Sequence, residues 1–417
     1  MTPAPRAVIV LAVISLAALL LPAGLVALAA LALVVAVAVD ATAAKREPQV
    51  DRESLDVLSR GIPAQIVIRA IPPAGGSVRV RQAAPPELEL NPREGEARLE
   101  ATLVAHRRGT HTLPPLATRS TGPLGLARWD HQVGEALQLR VFPDLRTARR
   151  LALAVARGRF RDQGATARGP LGLGTEFELI RDYQPDDDVR QVNWRATARL
   201  GRPMSNQYRL EQDRDLLLLL DAGRLSAAPL GPAGTNVLDA CLDAASALAF
   251  VADELGDRTG AVAFDEEVRT ALQPRRAGGQ TVVRALFDLQ PRPLDSDYEA
   301  AFRRAEGSKR ALVVVFVDLL EVTAARPLVE AVPVLSRRHA VVVASPTDPA
   351  LLALAQAPEG DPLAQARAAI AADVLGARAR VAAQIRAAGA RVLEAPPDRL
   401  PATVVAAYLR AKSRAVL

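Results

Sequence analysis

Cysteine, lysine and aromatic residues are all scarce in this chain of 417 residues, and each scarcity removes a class of function. The single cysteine, Cys241, excludes an intrachain disulfide and any zinc site built from several cysteines, and it fits a reducing compartment. Four histidines leave little material for a histidine-rich metal centre. Aromatic residues make up 3% of the chain, too few for the stacking platforms that bind single strands, so no nucleic-acid partner is expected. Lysine occurs only at 45, 309 and 412, and the formal charge of +6 therefore rests on arginine. GxxxxGK[ST], GxSxG and HExxH do not occur, and no motif pairs a nucleophile with a base; the chain is not expected to be an enzyme.

What the chain does have is an uncharged run from Ala7 to Val39. As one helix it would span roughly 50 Å, against a hydrocarbon core of about 30 Å. Leu21-Pro22-Ala23-Gly24 lies near its middle and is a turn signal, so a transmembrane helical hairpin is expected within residues 1–44. Arg6 precedes the run and Lys45-Arg46 follow it, which places both ends in the cytoplasm. The expected location is the inner membrane, with the soluble domains facing the cytoplasm. A cleaved signal peptide is the alternative, with Ala41-Thr42-Ala43 as its cleavage site, but the apolar region is about twice the length such a peptide uses.

Over residues 45–145 the pattern changes to short alternating segments, among them Ala64–Ala70, Ser77–Val80, Ala97–Val104 and Leu137–Phe142, separated by Pro and Gly. An antiparallel β-sandwich follows from that spacing. Residues 146–210 read as an arginine-rich linker and a dense charged block. Over 211–417, continuous apolar runs (Asp215–Asp221, Ala311–Asp318, Ala340–Ala344) alternate with amphipathic helices, the pattern of an α/β domain with a doubly wound, mostly parallel sheet. Val268–Leu272 reads as an antiparallel edge strand. Asp221 and Asp318 end two of the parallel runs, so both carboxylates can face one crevice, relieved by a divalent cation or by a basic group such as Arg224. Each is equally readable as a helix cap.

The most distinctive stretch runs from Gly174 to Arg199. Asp188 is a good N-cap for a helix carrying Val189, Val192, Ala196 and Leu200, ended by Gly201 and Pro203. Asp186, Asp187 and Asp188 are adjacent and cannot flank one scissile bond, so caps and ion pairs are expected there in place of a hydrolase site.

This block closely resembles the signature of the domain-of-unknown-function 58 family, G-x-E-F-x-x-x-R-x-Y-x-P-G-D-D-x-R-x-I-D-W-K-x-x-A-R. The matching residues are Gly174, Glu176, Phe177, Arg181, Tyr183, Pro185, Asp187, Asp188, Arg190, Trp194, Ala198 and Arg199, while Asp186 replaces a Gly and Asn193 an Asp. Glu211, Asp221, Phe264-Asp265 and Asp318 downstream, and Arg108-Gly109 and Val141-Phe142-Pro143 upstream, also fall where the family has them. The resemblance implies a von Willebrand factor A-like domain behind a membrane hairpin, in proteins commonly encoded beside MoxR-type AAA+ ATPases. A complete metal-ion-dependent adhesion site of such a domain would read D-x-S-x-S; here Asp221-Ala222-Gly223-Arg224-Leu225 lacks both hydroxyls. Ser296 is a stand-in for its Thr, or the start of a capping box with Glu299. With Asp221 and Asp318 alone, magnesium would be held only weakly, and a degenerate site without a cofactor is expected. The expected function is a membrane-anchored adaptor that works with a MoxR-type ATPase in assembly or maturation of another complex, its interaction residues being Glu176, Phe177, Arg181, Tyr183, Asp187, Asp188, Arg190, Trp194 and Arg199. The alternative is a divalent-metal-dependent ligand-binding domain of adhesion type.

Overall fold

The computed structural model describes residues 2–53, 55, 57–72, 75–158, 171–172, 176–184, 192–209, 215–231, 235–306, 310–320, 322–356 and 361–413. Among these the chain forms two compact units, Met1–Phe142 and Pro143–Leu417.

The first unit opens with two apolar helices, Pro5–Ala17 and Ala23–Ala44, joined at residues 18–22. The first ends at Ala17, and Pro22 sits at the N-cap of the second. Among the described residues only Ala23–Ala44 is long and apolar enough to cross a membrane: its 22 residues have a mean hydropathy of 2.5 and rise about 33 Å. Pro5–Ala17 has 13 residues and rises about 20 Å, so the expected pair of spans is corrected to one candidate span beside a shorter apolar helix. Leu19, Leu20 and Leu28 are 78, 88 and 63% exposed, a continuous apolar surface that calls for lipid. Through this helix the chain associates with a membrane.

The last turn of that helix is docked on the β structure. Asp40 is fully buried and its carboxylate accepts the amides of Leu124 (2.7 Å), Leu126 (2.7 Å) and Ala127 (2.8 Å). Thr2–Pro3 pairs antiparallel with the same strand, Ala127–Val133, and Lys45 lies over the Trp129 ring at 5.6 Å.

Beyond the helices, three sheets share one core. A four-stranded antiparallel sheet contains Ala64–Ile71 and Arg98–Ala105, a five-stranded sheet contains Ser77–Arg81 and Ala127–Val133, and a three-stranded sheet pairs Leu137–Phe142 with Gly109–Leu113 and, in parallel, with Val57–Ser59. The alternation is the cause: in Ala64–Ile71 the inward set is Ile66, Ile68 and Ala70, and these meet Val78, Val80, Leu103, Leu113 and Leu139 from the other strands. The expected two-layer antiparallel sandwich is thus replaced by several sheets, one with a parallel pair.

The second unit holds a six-stranded sheet in the order Val268–Arg276, Arg258–Phe264, Asp215–Asp221, Ala311–Phe316, Ala340–Pro346, Arg391–Ala395. Leu216, Leu218 and Leu220 pack on one side with Val237–Glu254 and Leu400–Ser413; Leu217 and Leu219 pack on the other with Tyr298–Glu306 and Val322–Ser336. Burial on both faces is why these strands read as unbroken apolar runs. The doubly wound parallel sheet of von Willebrand factor A-like type is not what forms, because the sheet is mixed. Only residues 265–267 separate Arg258–Phe264 from Val268–Arg276, too few for a crossover, and the two pair antiparallel. Within the stretch read as a linker, Leu145–Ala156 is a helix capped by Asp144, and its Ala148, Ala152 and Val155 join the core. Cys241 is a core thiol whose pKa burial pushes well up.

Candidate functional site

Asp215–Asp221 and Ala311–Phe316 are parallel neighbours in register Leu220 to Phe316, so Asp221 and Asp318 close adjacent strands at the same edge of the sheet. Both are buried, at 4 and 3% exposure, and they are held differently. Asp221 accepts three hydrogen bonds: from the Gly223 amide (2.8 Å), the Ser296 hydroxyl (2.5 Å) and the Tyr298 hydroxyl (2.5 Å). Asp318 accepts from Arg378 at 2.5 Å, and the same guanidinium donates to Ser345 Oγ (2.9 Å) and the Pro346 carbonyl (2.7 Å). Arg378 is itself 7% exposed, which makes this a desolvated ion pair.

Burial is the largest influence on both carboxyls and pushes each above its ordinary range. The donors on Asp221 and the guanidinium on Asp318 pull the other way. Tyr298 is driven well up by burial and then by the charge of Asp221, so it stays a donor.

Two expectations change here. The counter-charge for the carboxylate pair comes from Arg378, and Arg224 instead pairs with the exposed Asp295 at 2.5 Å. Ser296 donates to Asp221, while the cap of the helix Tyr298–Glu306 is Asp297, whose carboxylate accepts the Ala300 amide at 2.9 Å. Gly223, which stands where an adhesion-type site has a serine, has no room for a side chain. A Cβ there would lie 2.2 Å from Ser296 Oγ and 2.8 Å from the Leu294 carbonyl.

Beside these groups is a cavity of about 200 Å³ whose lining includes Asp221, Arg224, Ser296, Tyr298 and Thr323. A magnesium ion would need several free oxygens in octahedral order. Asp221 already accepts three donors and Asp318 faces a buried guanidinium, so the oxygens of this pair are engaged within the chain itself.

The charged block forms a separate element, a three-stranded antiparallel sheet of Leu171–Gly172, Met204–Arg209 and Glu176–Asp182 with a short helix, Trp194–Leu200. The helix starts later than its apolar spacing predicts, because Asn193 caps it: Asn193 Oδ1 accepts the Ala196 amide at 2.9 Å. Its Nδ2 donates to Asn206 Oδ1 at 2.7 Å, a bond the family's Asp could not make. Gly201, at φ 66°, ends the helix in the left-handed region.

Trp194 is the first helical residue and is 70% exposed; Arg195 and Arg199 are exposed on the same helix, with Leu200 at 53% and Ile180 at 41%. Arg181 donates to the Asp182 carbonyl at 2.9 Å, and the Tyr183 amide bonds the Pro203 carbonyl. Glu176 and Phe177 lie on the strand Glu176–Asp182, their side chains outside the described residues. Asp186, Asp187, Asp188 and Arg190 also lie outside them. The block and the two carboxylates are therefore two sites in the second unit. Arg378, Tyr298 and the capping role of Asn193 are the residues that sequence reasoning missed.

The family described as protein of unknown function DUF58 matches residues 179–390, which takes in Trp194, Asp221, Asp318 and Arg378. The chain belongs to the DUF58 family. Uncharacterised proteins of Mycobacterium bovis and Mycobacterium tuberculosis are each 29% identical to this DUF58 chain over 187 residues, 43% of its length. The chain spans little more than half, 56%, of the length of these curated relatives. A crystal structure of an uncharacterised membrane-spanning protein from Vibrio fischeri is matched over 48% of this chain and 98% of its own, at 13% identity and a TM-score of 0.16. At that score the fold stands on this chain's own strands and helices.

Proposed function

We propose that this DUF58 protein is a membrane-anchored adaptor whose charged block binds a protein partner on the cytoplasmic side. The partner implied by the sequence resemblance is a MoxR-type AAA+ ATPase, and the joint task is assembly or maturation of another complex. One observation carries the reading: Trp194 stands 70% exposed at the start of a helix fixed at both ends by Asn193 and Gly201, with the exposed Arg195 and Arg199 following it on the same helix. A large exposed aromatic on a rigid support, accompanied by arginine, is the composition of a binding hot spot, and it suits an acidic partner surface. Arg6, Lys45 and Arg46 at the ends of the apolar helices support the cytoplasmic orientation.

The test is co-purification from membranes that contain both the tagged chain and a MoxR-type ATPase. The ATPase is expected to accompany the unaltered chain, and Trp194→Ala to reduce its recovery roughly tenfold or more. Folding stability should stay within about 0.5 kcal/mol, since the indole is largely in solvent. An ATPase that never co-purifies, or that binds the Ala variant equally, ends the proposal.

A further inference from the structure

The two apolar helices leave the β structure and return to it at one place. Thr2–Pro3 pairs with Arg128 and Ala127, the Ala4 amide donates to the Leu126 carbonyl at 2.8 Å, and Asp40 accepts the amides of Leu124, Leu126 and Ala127. A single crossing would carry Thr2 and Ala127 to opposite sides of a bilayer, and the pairing forbids that. Either both helices cross or neither does.

Length decides between the two. Ala23–Ala44 is long enough to cross only when counted whole, and its last turn is occupied by docking, with Asp40, Ala41 and Ala44 buried. The remainder, Ala23–Val39, rises about 25 Å, and Pro5–Ala17 about 20 Å, against a hydrocarbon core of about 30 Å. A thinned bilayer would bring the turn between them to the far headgroups, where Trp, Tyr, Lys or Arg is expected. From Ala17 to Leu25 no residue carries a polar side chain, and Leu19, Leu20 and Leu21 are 78, 88 and 50% exposed. The base is the reverse: Arg6, Lys45 and Arg46 are exposed there, and Lys45 lies over the Trp129 ring. The backbone of the turn also suits a dry medium. The Ala18, Leu19, Leu20 and Leu21 amides donate to the carbonyls of Ile14, Leu16 and Ala17, those of Leu25 and Val26 donate to the Pro22 carbonyl, and Pro22 has no amide. Most donors of the turn are thus met within the chain, as hydrocarbon requires.

We propose that the two helices form a re-entrant hairpin, which enters the bilayer from the face where the β structure lies, passes the midplane and turns back inside the hydrocarbon, about 5 to 10 Å short of the far side. Lipid acyl chains cover the exposed leucines of its turn. No residue of the anchor then reaches the far side, and none is available to a partner there. This inference is independent of what the Trp194 surface binds.

The experiment labels thiols placed in the anchor, against the quiet background of the buried Cys241. Leu20→Cys at the tip and Glu47→Cys, exposed at the base, are each introduced into the full chain, and right-side-out and inverted membrane vesicles are treated with a membrane-impermeant maleimide. Glu47→Cys should label in one vesicle orientation. Leu20→Cys should label at least roughly tenfold more slowly than Glu47→Cys in either orientation, and fully once denaturing detergent dissolves the membrane. Labelling of Leu20→Cys in the orientation opposite to that of Glu47→Cys would mean two spans and overturns the proposal. Labelling in the same orientation would mean a hairpin lying on the surface and overturns it equally. Depth is read independently in phosphatidylcholine vesicles, with bimane attached to Leu20→Cys in mild detergent before reconstitution. A lipid nitroxide midway along the acyl chain should quench the bimane more than one on the headgroup, and the reverse order rules out a turn inside the hydrocarbon.

Discussion

Asp221 combines deep burial with three donors, and the two influences oppose one another. Burial is the larger and raises the pKa above the ordinary 3.8. A carboxyl whose folded pKa exceeds its unfolded value contributes stability that is complete below the unfolded pKa and is lost as pH rises through the folded one. Asp221→Asn keeps the shape and does not titrate. The unfolding free energy of the unaltered protein, minus that of the Asn variant, should therefore fall as pH is raised from about 4 toward neutrality. Urea unfolding at several pH values measures that difference, and a gap that stays constant with pH removes the buried-charge account. The neighbouring pair shows what sequence conceals at this scale. The need for a positive group beside Asp318 is legible from two converging carboxylates, but its source is not. Arg378 lies 60 residues downstream, in a long helix crowded with Ala and Arg, where nothing local separates it from solvent-facing arginines.

At the scale of elements, legibility followed burial. Asp215–Asp221, Ala311–Phe316 and Ala340–Pro346 are visible as apolar runs because both faces are covered, and Val237–Glu254 because its larger apolar residues recur at helical spacing in a helix buried on nearly every side. The signature helix Trp194–Leu200 is mostly exposed, so its apolar spacing carried little information. Val192, counted as helical, instead bridges to Ser205, and the cap moved to Asn193. The capping bond and the bond to Asn206 both depend on that amide, which sets a prediction for the element. Asn193→Ala should destabilise the helix by about 1 kcal/mol from the cap alone. Asn193→Asp should keep the cap and lose only the donation to Asn206. Hydrogen exchange at the Ala196 amide reports the cap directly; equal protection in the Ala and Asp variants would show that the cap does not hold the helix. The same loosening should lower partner recovery in the Ala variant, because Trp194 is the next residue.

For the molecule as a membrane protein, the feature that ties anchor to folded body is Asp40. A carboxylate near the end of an apolar helix is costly unless its oxygens are satisfied, and here three amides from residues 124–127 converge on it. Those amides belong to the turn entering Ala127–Val133, the strand that also pairs with Thr2–Pro3 before the first helix. Both ends of the helical pair are therefore fastened to one strand, and the anchor moves with the first unit. Asp40→Ala would leave three amides without their acceptor, at a cost on the order of 3 kcal/mol or more. In the detergent-purified chain, Leu124, Leu126 and Ala127 amides should then exchange much faster. The amides of Ile66 and Leu103, deep in the shared core, should keep their protection. Loss of protection throughout the unit would mean that the contact holds the whole β structure together, and retained protection at Leu124, Leu126 and Ala127 would mean that the anchor is tethered by the chain alone.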